Sequence, residues 1–193
     1  EAAQALTYMG MAGWKTEEMI GGLPGIMNLA AASGEDLASV SDIVTDAMTS
    51  FKMGADEAGE FADVLAAAAA NSNTNVGKMG YTFKYVAPLA GALGYNIQDT
   101  ALAIGAMADS GVKGEQAGTS LRALMTRLVS PTKDVKEAMA TLSQHIDGGF
   151  SAIDTATGKM KPLRKILLDL RKGFKGLDEA TQGKVCLLYT SPS

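Results

Sequence analysis

Reactive side chains are scarce in this chain of 193 residues. It holds one cysteine, one histidine and one tryptophan. A single cysteine excludes any disulfide framework. A single histidine, His145, leaves one possible base for a serine or cysteine triad, and its place in "LSQHIDGG" at a helix end suits a cation complementing the helix dipole instead. No run of Cys, His and carboxylates has the spacing of a zinc site. The longest uninterrupted apolar run, "VLAAAAA" (Val64–Ala70), is seven residues, far short of a membrane span. Five prolines are too few for a proline-rich linker, and aromatics make up 6% of the residues.

What is present is alanine, methionine and glycine within a composition that is 47% hydrophobic. This mixture suits helices packed through small residues with a soft, adaptable filler. Apolar residues recur at helical period almost throughout. Val40, Ile43, Val44, Ala47, Met48 and Phe51 form one stripe, and Phe61, Val64, Leu65 and Ala68 another. Met79, Phe83, Val86, Ala90 and Leu93 alternate steps of four and three, a coiled-coil-like seam. Val135, Ala138, Met139 and Leu142 repeat the pattern, as do Leu163, Ile166, Leu167 and Leu170. Thr16, then Ser41 or Asp36, and Asn96 mark helix starts. Pro24 and Pro88 are expected to break or kink their helices.

Glycines 13, 54 and 94 each precede a polar cap and an Ala-rich helix. Spacings of 41 and 40 match one helical hairpin per unit. The expected fold is all-α: a bundle or solenoid-like array of helical hairpins, with a small β-hairpin near residues 149–161 around "DTATG". The expected domains are a helical core over 1–145 and a hairpin or loop plus helical segment over 146–185. Residues 186–193, "CLLYTSPS", break abruptly from the preceding text and read as a non-native tail, so the chain is expected to be a fragment of something longer.

Three stretches invite a chemical reading. "GVKGEQAGTSLRALMTRL" (Gly111–Leu128) has the glycines, lysine and Thr-Ser pair of a phosphate loop. A P-loop needs lysine directly before the hydroxyl residue and a preceding strand. Here Gly118 precedes Thr119, Lys113 lies six positions earlier, and "QDTALAIGAMADS" has no strand character. Packing accounts for it: Gly111 ends one helix, Leu121, Leu124, Met125 and Leu128 form an apolar face, and Gly114, Ala117 and Gly118 permit close helix approach. "NSNTNVGKMG" offers Asn71, Asn73 and Asn75 as calcium ligands, but Val76 and Thr82 stand where an EF-hand needs glycine and glutamate. The pairs Glu17/Glu18, Glu35/Asp36 and Asp56/Glu57 open helices, where the dipole favours acids. No catalytic, cofactor-binding or metal-ligating residue is nominated.

Charge is segregated. Residues 1–110 hold 4 Lys/Arg against 13 Asp/Glu, and residues 111–193 hold 13 against 8. The late basic cluster, "KMKPLRKILLDLRKGFK" (Lys159–Lys175), flanks an apolar stripe, so it reads as a solvated helix face, then as a surface for an acidic partner or neighbouring subunit. No nucleic-acid site is evident.

Several pieces in order, "FADVLAAAAANSNT", "YVAPLAGALG", "AIGAMADSGVKGEQAGTSLR" and "DTATGKMKPLRKILLDL", resemble the core region of phage tail tape measure proteins, with similarity from Glu1 to Lys184. The resemblance implies a long, helical structural protein without catalysis in this region. It further implies a role in tail assembly, tail length determination and genome delivery, with tail tube and tail assembly chaperone proteins as partners and self-association between copies. Its implied location is the virion, in the tail lumen, after assembly in the host cytoplasm. The competing readings are a helical-repeat module that binds a peptide or protein in a groove lined by polar and aromatic residues, and an envelope-active enzyme fragment, for which no carboxylate pair or metal cluster is found.

Overall fold

The computed structural model describes residues 1–190. Residues 191–193 and the side chains of Lys184 and residues 186–190 fall outside that description, and most of the stretch read as a non-native tail falls with them. Among the described residues ten α-helices follow one another: α1 (Ala2–Met11), α2 (Thr16–Ser33), α3 (Leu37–Phe51), α4 (Ala58–Ala70), α5 (Val76–Ala92), α6 (Ile97–Asp109), α7 (Gly114–Val129), α8 (Lys133–Ser143), α9 (Leu163–Lys175) and α10 (Glu179–Thr190). A 3-10 turn, Ala55–Glu57, leads into α4. The fold is all-α, and among the described residues there is no sheet. The chain divides into two compact units, Glu1–Thr119 and the remainder from Ser120.

Within the first unit the helices form two layers. The odd helices α1, α3 and α5 pack side by side, and so do the even helices α2, α4 and α6. Long-range hydrogen bonds show the stacking to be parallel and nearly in register. Ser41 Oγ donates to the Ala5 carbonyl (2.9 Å), Lys84 Nζ to Asp42 Oδ2 (2.6 Å), Gln98 Nε2 to Glu60 Oε1 (2.8 Å), and the Asn73 amide to Asp109 Oδ1 (2.7 Å). Their separations of 36, 42, 38 and 36 residues are about one repeat each. Each hairpin therefore lies on the one before it, as in helical solenoids.

One small residue per odd helix allows this stacking. Ser41 on α3 faces the Ala5 carbonyl, a methyl on Gly80 of α5 would run into Ile43, and one on Gly118 of α7 would sit 2.7 Å from Tyr85 Cβ. Ser41, Gly80 and Gly118 thus hold the same place in successive repeats. Between even helices, Gly25 of α2 lies against Gly59 of α4, and Ser72 against Gly105 of α6. The apolar stripes point inward. Val40, Val44, Met48, Phe61, Leu65, Met79, Phe83 and Val86 are all buried, with Phe83 edge-on to Phe61 (centroids 5.7 Å) and Phe51 (6.3 Å).

Three helix starts follow local rules. Asp36, Asn75 and Asn96 cap α3, α5 and α6 by accepting from the amides of Ser39, Lys78 and Asp99. Ser41 is no cap; it is fully buried and ties α3 to α1. Pro24 and Pro88 do not break their helices, since α2 and α5 run through both. Both rings are exposed, so the carbonyls one turn earlier that lose their amide partners face water.

In the second unit, α9 packs on α8 through Gly173, where a methyl would lie 3.0 Å from Leu142 and 3.1 Å from Ile146. The expected β-hairpin near 149–161 is not formed. One isolated antiparallel bridge joins Ile153 and Met160. Asp154 Oδ1 takes the amides of Ala156 (2.8 Å) and Thr157 (3.2 Å), and Gly158 sits at φ +69°. The chain therefore turns too soon for a ladder. Ile153 remains 38% exposed and its buried neighbour Ala152 is small, so a strand there would bury little apolar surface.

Candidate functional site: a groove on the odd-helix layer

Stacking α1, α3 and α5 leaves a groove of about 450 Å³ on their outer face. Tyr8 and Met11 of α1 form one side, Asp42, Asp46 and Thr49 of α3 the floor, and Lys84 and Pro88 of α5 the other side. A smaller extension of about 140 Å³ carries Tyr8 and Lys84 on to Glu35, Ser39 and Tyr81. Met11 is 78% exposed and Tyr81 62%, large apolar surfaces left in water at the rim.

The floor is electrostatically organised. Lys84 Nζ lies 2.6 Å from Asp42 Oδ2 and 3.7 Å from Asp46 Oδ2. The Asp42 hydrogen bond, with the charges of both aspartates, holds the Lys84 ammonium above its usual range against a desolvation cost. Glu35 accepts from the Gly77 amide (3.2 Å) at the α3–α5 seam. Three carboxylates face one ammonium, so the groove is net acidic and suits a basic or amphipathic segment. None of these groups lies beside a nucleophile in a general-base geometry. Among the described residues no three His, Cys, Asp or Glu side chains cluster as metal ligands.

The stretches that suggested chemistry are occupied by structure. Gly111 has φ +89° after α6, and Lys113 precedes α7, so that loop joins two helices and follows no strand. Ala117 is buried and Gly118 makes the close approach expected of it; at Gly114, with φ +60°, a methyl would meet nothing, although its carbonyl accepts from Thr82 Oγ1 (3.0 Å). Asn71 donates to the Ala67 carbonyl and Asn75 caps α5. His145 is exposed and lies over Gly176 at the C-terminal end of α9, where a methyl would be 2.6 Å from its ring. The groove itself went unnoticed in the sequence, because its charged floor unites residues from helices a full repeat apart.

A stack of helical hairpins with an acidic groove defines a helical-repeat structural protein. The chain matches the model of the phage-related minor tail protein family over residues 1–186, and it belongs to that family. It is 39% identical over 184 residues to the tape measure protein of Pneumococcus phage Dp-1, covering 95% of this chain and 15% of that one. It is 26% identical over 175 residues to the probable tape measure protein of Escherichia phage P2, covering 91% and 21%. The chain thus spans about a fifth or less of the length of these relatives. No solved structure matches it. Among the described residues, no helix is long and apolar enough to cross a membrane.

Proposed function

We propose that this chain is a packed, hairpin-stacked segment of a tape measure protein, acting without catalysis in phage tail assembly, tail length determination and genome delivery. The similarity to two tape measure proteins supports the tail role, and the two-layer stacking of α1–α6 supports a compact segment within an otherwise extended ruler. The acidic groove between α1, α3 and α5 supports docking of a basic or amphipathic segment from a tail tube or tail assembly chaperone protein. Such docking takes place in the host cytoplasm before the chain is enclosed in the tail lumen. The same groove is what a stand-alone peptide-binding repeat module would use, and that reading shares the geometry while dispensing with the tail.

A chimera tests the proposal. Residues 1–184 replace the matching stretch in the tape measure gene of Pneumococcus phage Dp-1. Tails of parental length and plaque formation are the expected result. Stable, helical chimeric protein that never enters a tail would sink the proposal and favour the stand-alone module.

A further inference from the structure

Helix α9 carries its charge on one side. Arg164, Lys165, Arg171, Lys172 and Lys175 are exposed together with Leu168, whereas Leu163, Ile166, Leu170 and Gly173 are buried. The exposed positions recur at i, i+4, i+7 and i+11, one face of the helix. Its one acid, Asp169, is 8% exposed and bonds to Lys165 at 3.2 Å, so it adds little negative charge to that face. The cation pairs 164/165 and 171/172 are one heptad apart, about 10.5 Å along the axis. A lipid surface is a poor fit, because an interfacial helix inserts its apolar face and that of α9 already packs on α8.

The first unit presents a counterpart. Its even helices run parallel, and their first turns carry Glu17 and Glu18 on α2, Asp56 and Glu57 leading into α4, and Asp99 on α6. Gly22 lies beside Ala55 and Gly25 beside Gly59, so Glu17 and Glu18 lie about five residues ahead of the level of Asp56 and Glu57. That lead is about 8 Å along the axis. Helices meeting through glycine lie about 8 Å apart. The acid pairs Glu17/Glu18 and Asp56/Glu57 are then about 11 Å apart on the diagonal, close to the step between the cation pairs. Lys15 and Lys52 are the nearby lysines on this edge, against six carboxylates once Glu60 is included.

We propose that the basic face of α9 in one copy docks across the acid pairs of α2 and the turn before α4 in a second copy. The contact is heterologous, head to tail. It is steered by charge, so salt weakens it. The proposal concerns the chain in solution and goes beyond its placement in a tail, so either can fail without the other.

Sedimentation of the full chain across a concentration series, at low salt and then at about 1 M where screening is nearly complete, tests it. Two neutralised variants accompany the wild type, R171Q/K172Q and E17Q/D56N, each with circular dichroism to confirm its helicity. The wild type is expected to associate at low salt and dissociate at high salt. Each variant alone is expected to associate at least tenfold more weakly. Mixed together, the variants regain a 1:1 dimer that grows no further, because each retains the face the other lacks. A wild type that stays monomeric, an association indifferent to salt or to either pair, or a mixture that stays monomeric would each overturn the proposal. So would binding of a duplex DNA probe that R171Q/K172Q abolishes while the chain remains monomeric.

Discussion

Deleting residues 76–113 removes one complete repeat, α5 with α6 and their connections, and joins Asn75 to Gly114. The deletion is built to leave the stack closed. Asn75 keeps its role as helix cap, now for α7, and Gly118 falls where Gly80 lay against Ile43. If the deleted segment acted as extended helical ruler, its loss would shorten a tail by about 57 Å, at about 1.5 Å per residue. In the stack, one hairpin advances the array by one helix spacing, about 8–10 Å. The two accounts differ about six- to sevenfold. The assay is the distribution of tail lengths in electron micrographs of phage carrying the parental or the shortened gene, with plaque counts alongside. A mean change no larger than one helix spacing is expected. A shortening by the full helical length of the segment would show that these residues are ruler and that the packed hairpins do not persist in the tail.

Glycine substitutions separate packing from propensity. Gly91→Ala drives a methyl into the Ser50 carbonyl and should cost about 1–3 kcal/mol as overpacking, whereas Gly21→Ala meets nothing within 4 Å and should gain about 0.5–1 kcal/mol in thermal melts. Tyr95 is 5% exposed and its hydroxyl has no hydrogen-bond partner among the described residues, and burial pushes its pKa to about 12. Because the folded state holds that proton more tightly than the unfolded state, stability should fall as pH rises from about 10 towards 12; Tyr95→Phe should flatten this decline and stabilise the fold near neutrality by about 1 kcal/mol, and an unchanged or steeper decline would refute the assignment. Lys84→Met should destabilise by no more than about 1 kcal/mol, since Lys84 is 38% exposed and water screens its pairs. It should tighten binding of a basic peptide to the groove, read by isothermal titration, and weaker binding would show that Lys84 is itself a contact.

Where the core lies was legible because it depends on local period. The stripe on α3 is buried from Val40 to Met48, and the seam on α5 from Met79 to Ala90, because helical spacing alone assigns those faces. The loop over 149–161 misled because "DTATG" is good turn chemistry, and turn chemistry serves an isolated bend as well as a hairpin. The prolines misled for a related reason: a pattern of residues does not say which helix face looks to water, and on a wet face the lost hydrogen bond is tolerable. The groove was hardest to see. Asp42 and Lys84 meet across a full repeat of the chain, and no local window unites them. The signal that could have found them was the repeat itself, since its period places residues one unit apart on neighbouring helices.

In the first unit, every substantial contact joins a helix to its own hairpin or to the adjacent one. Such an array is held together by links between successive members, like a chain of coupled dominoes, with no central keystone. Its resistance to a pull applied at one terminus is therefore set by the link at the advancing end, whatever the number of hairpins in the stack. Unravelling proceeds from the end, one pair of helices at a time, and the hairpins behind the front stay folded until it reaches them. A chain built this way can enter a bore narrower than its folded width by successive small steps, none of which requires the whole unit to melt at once.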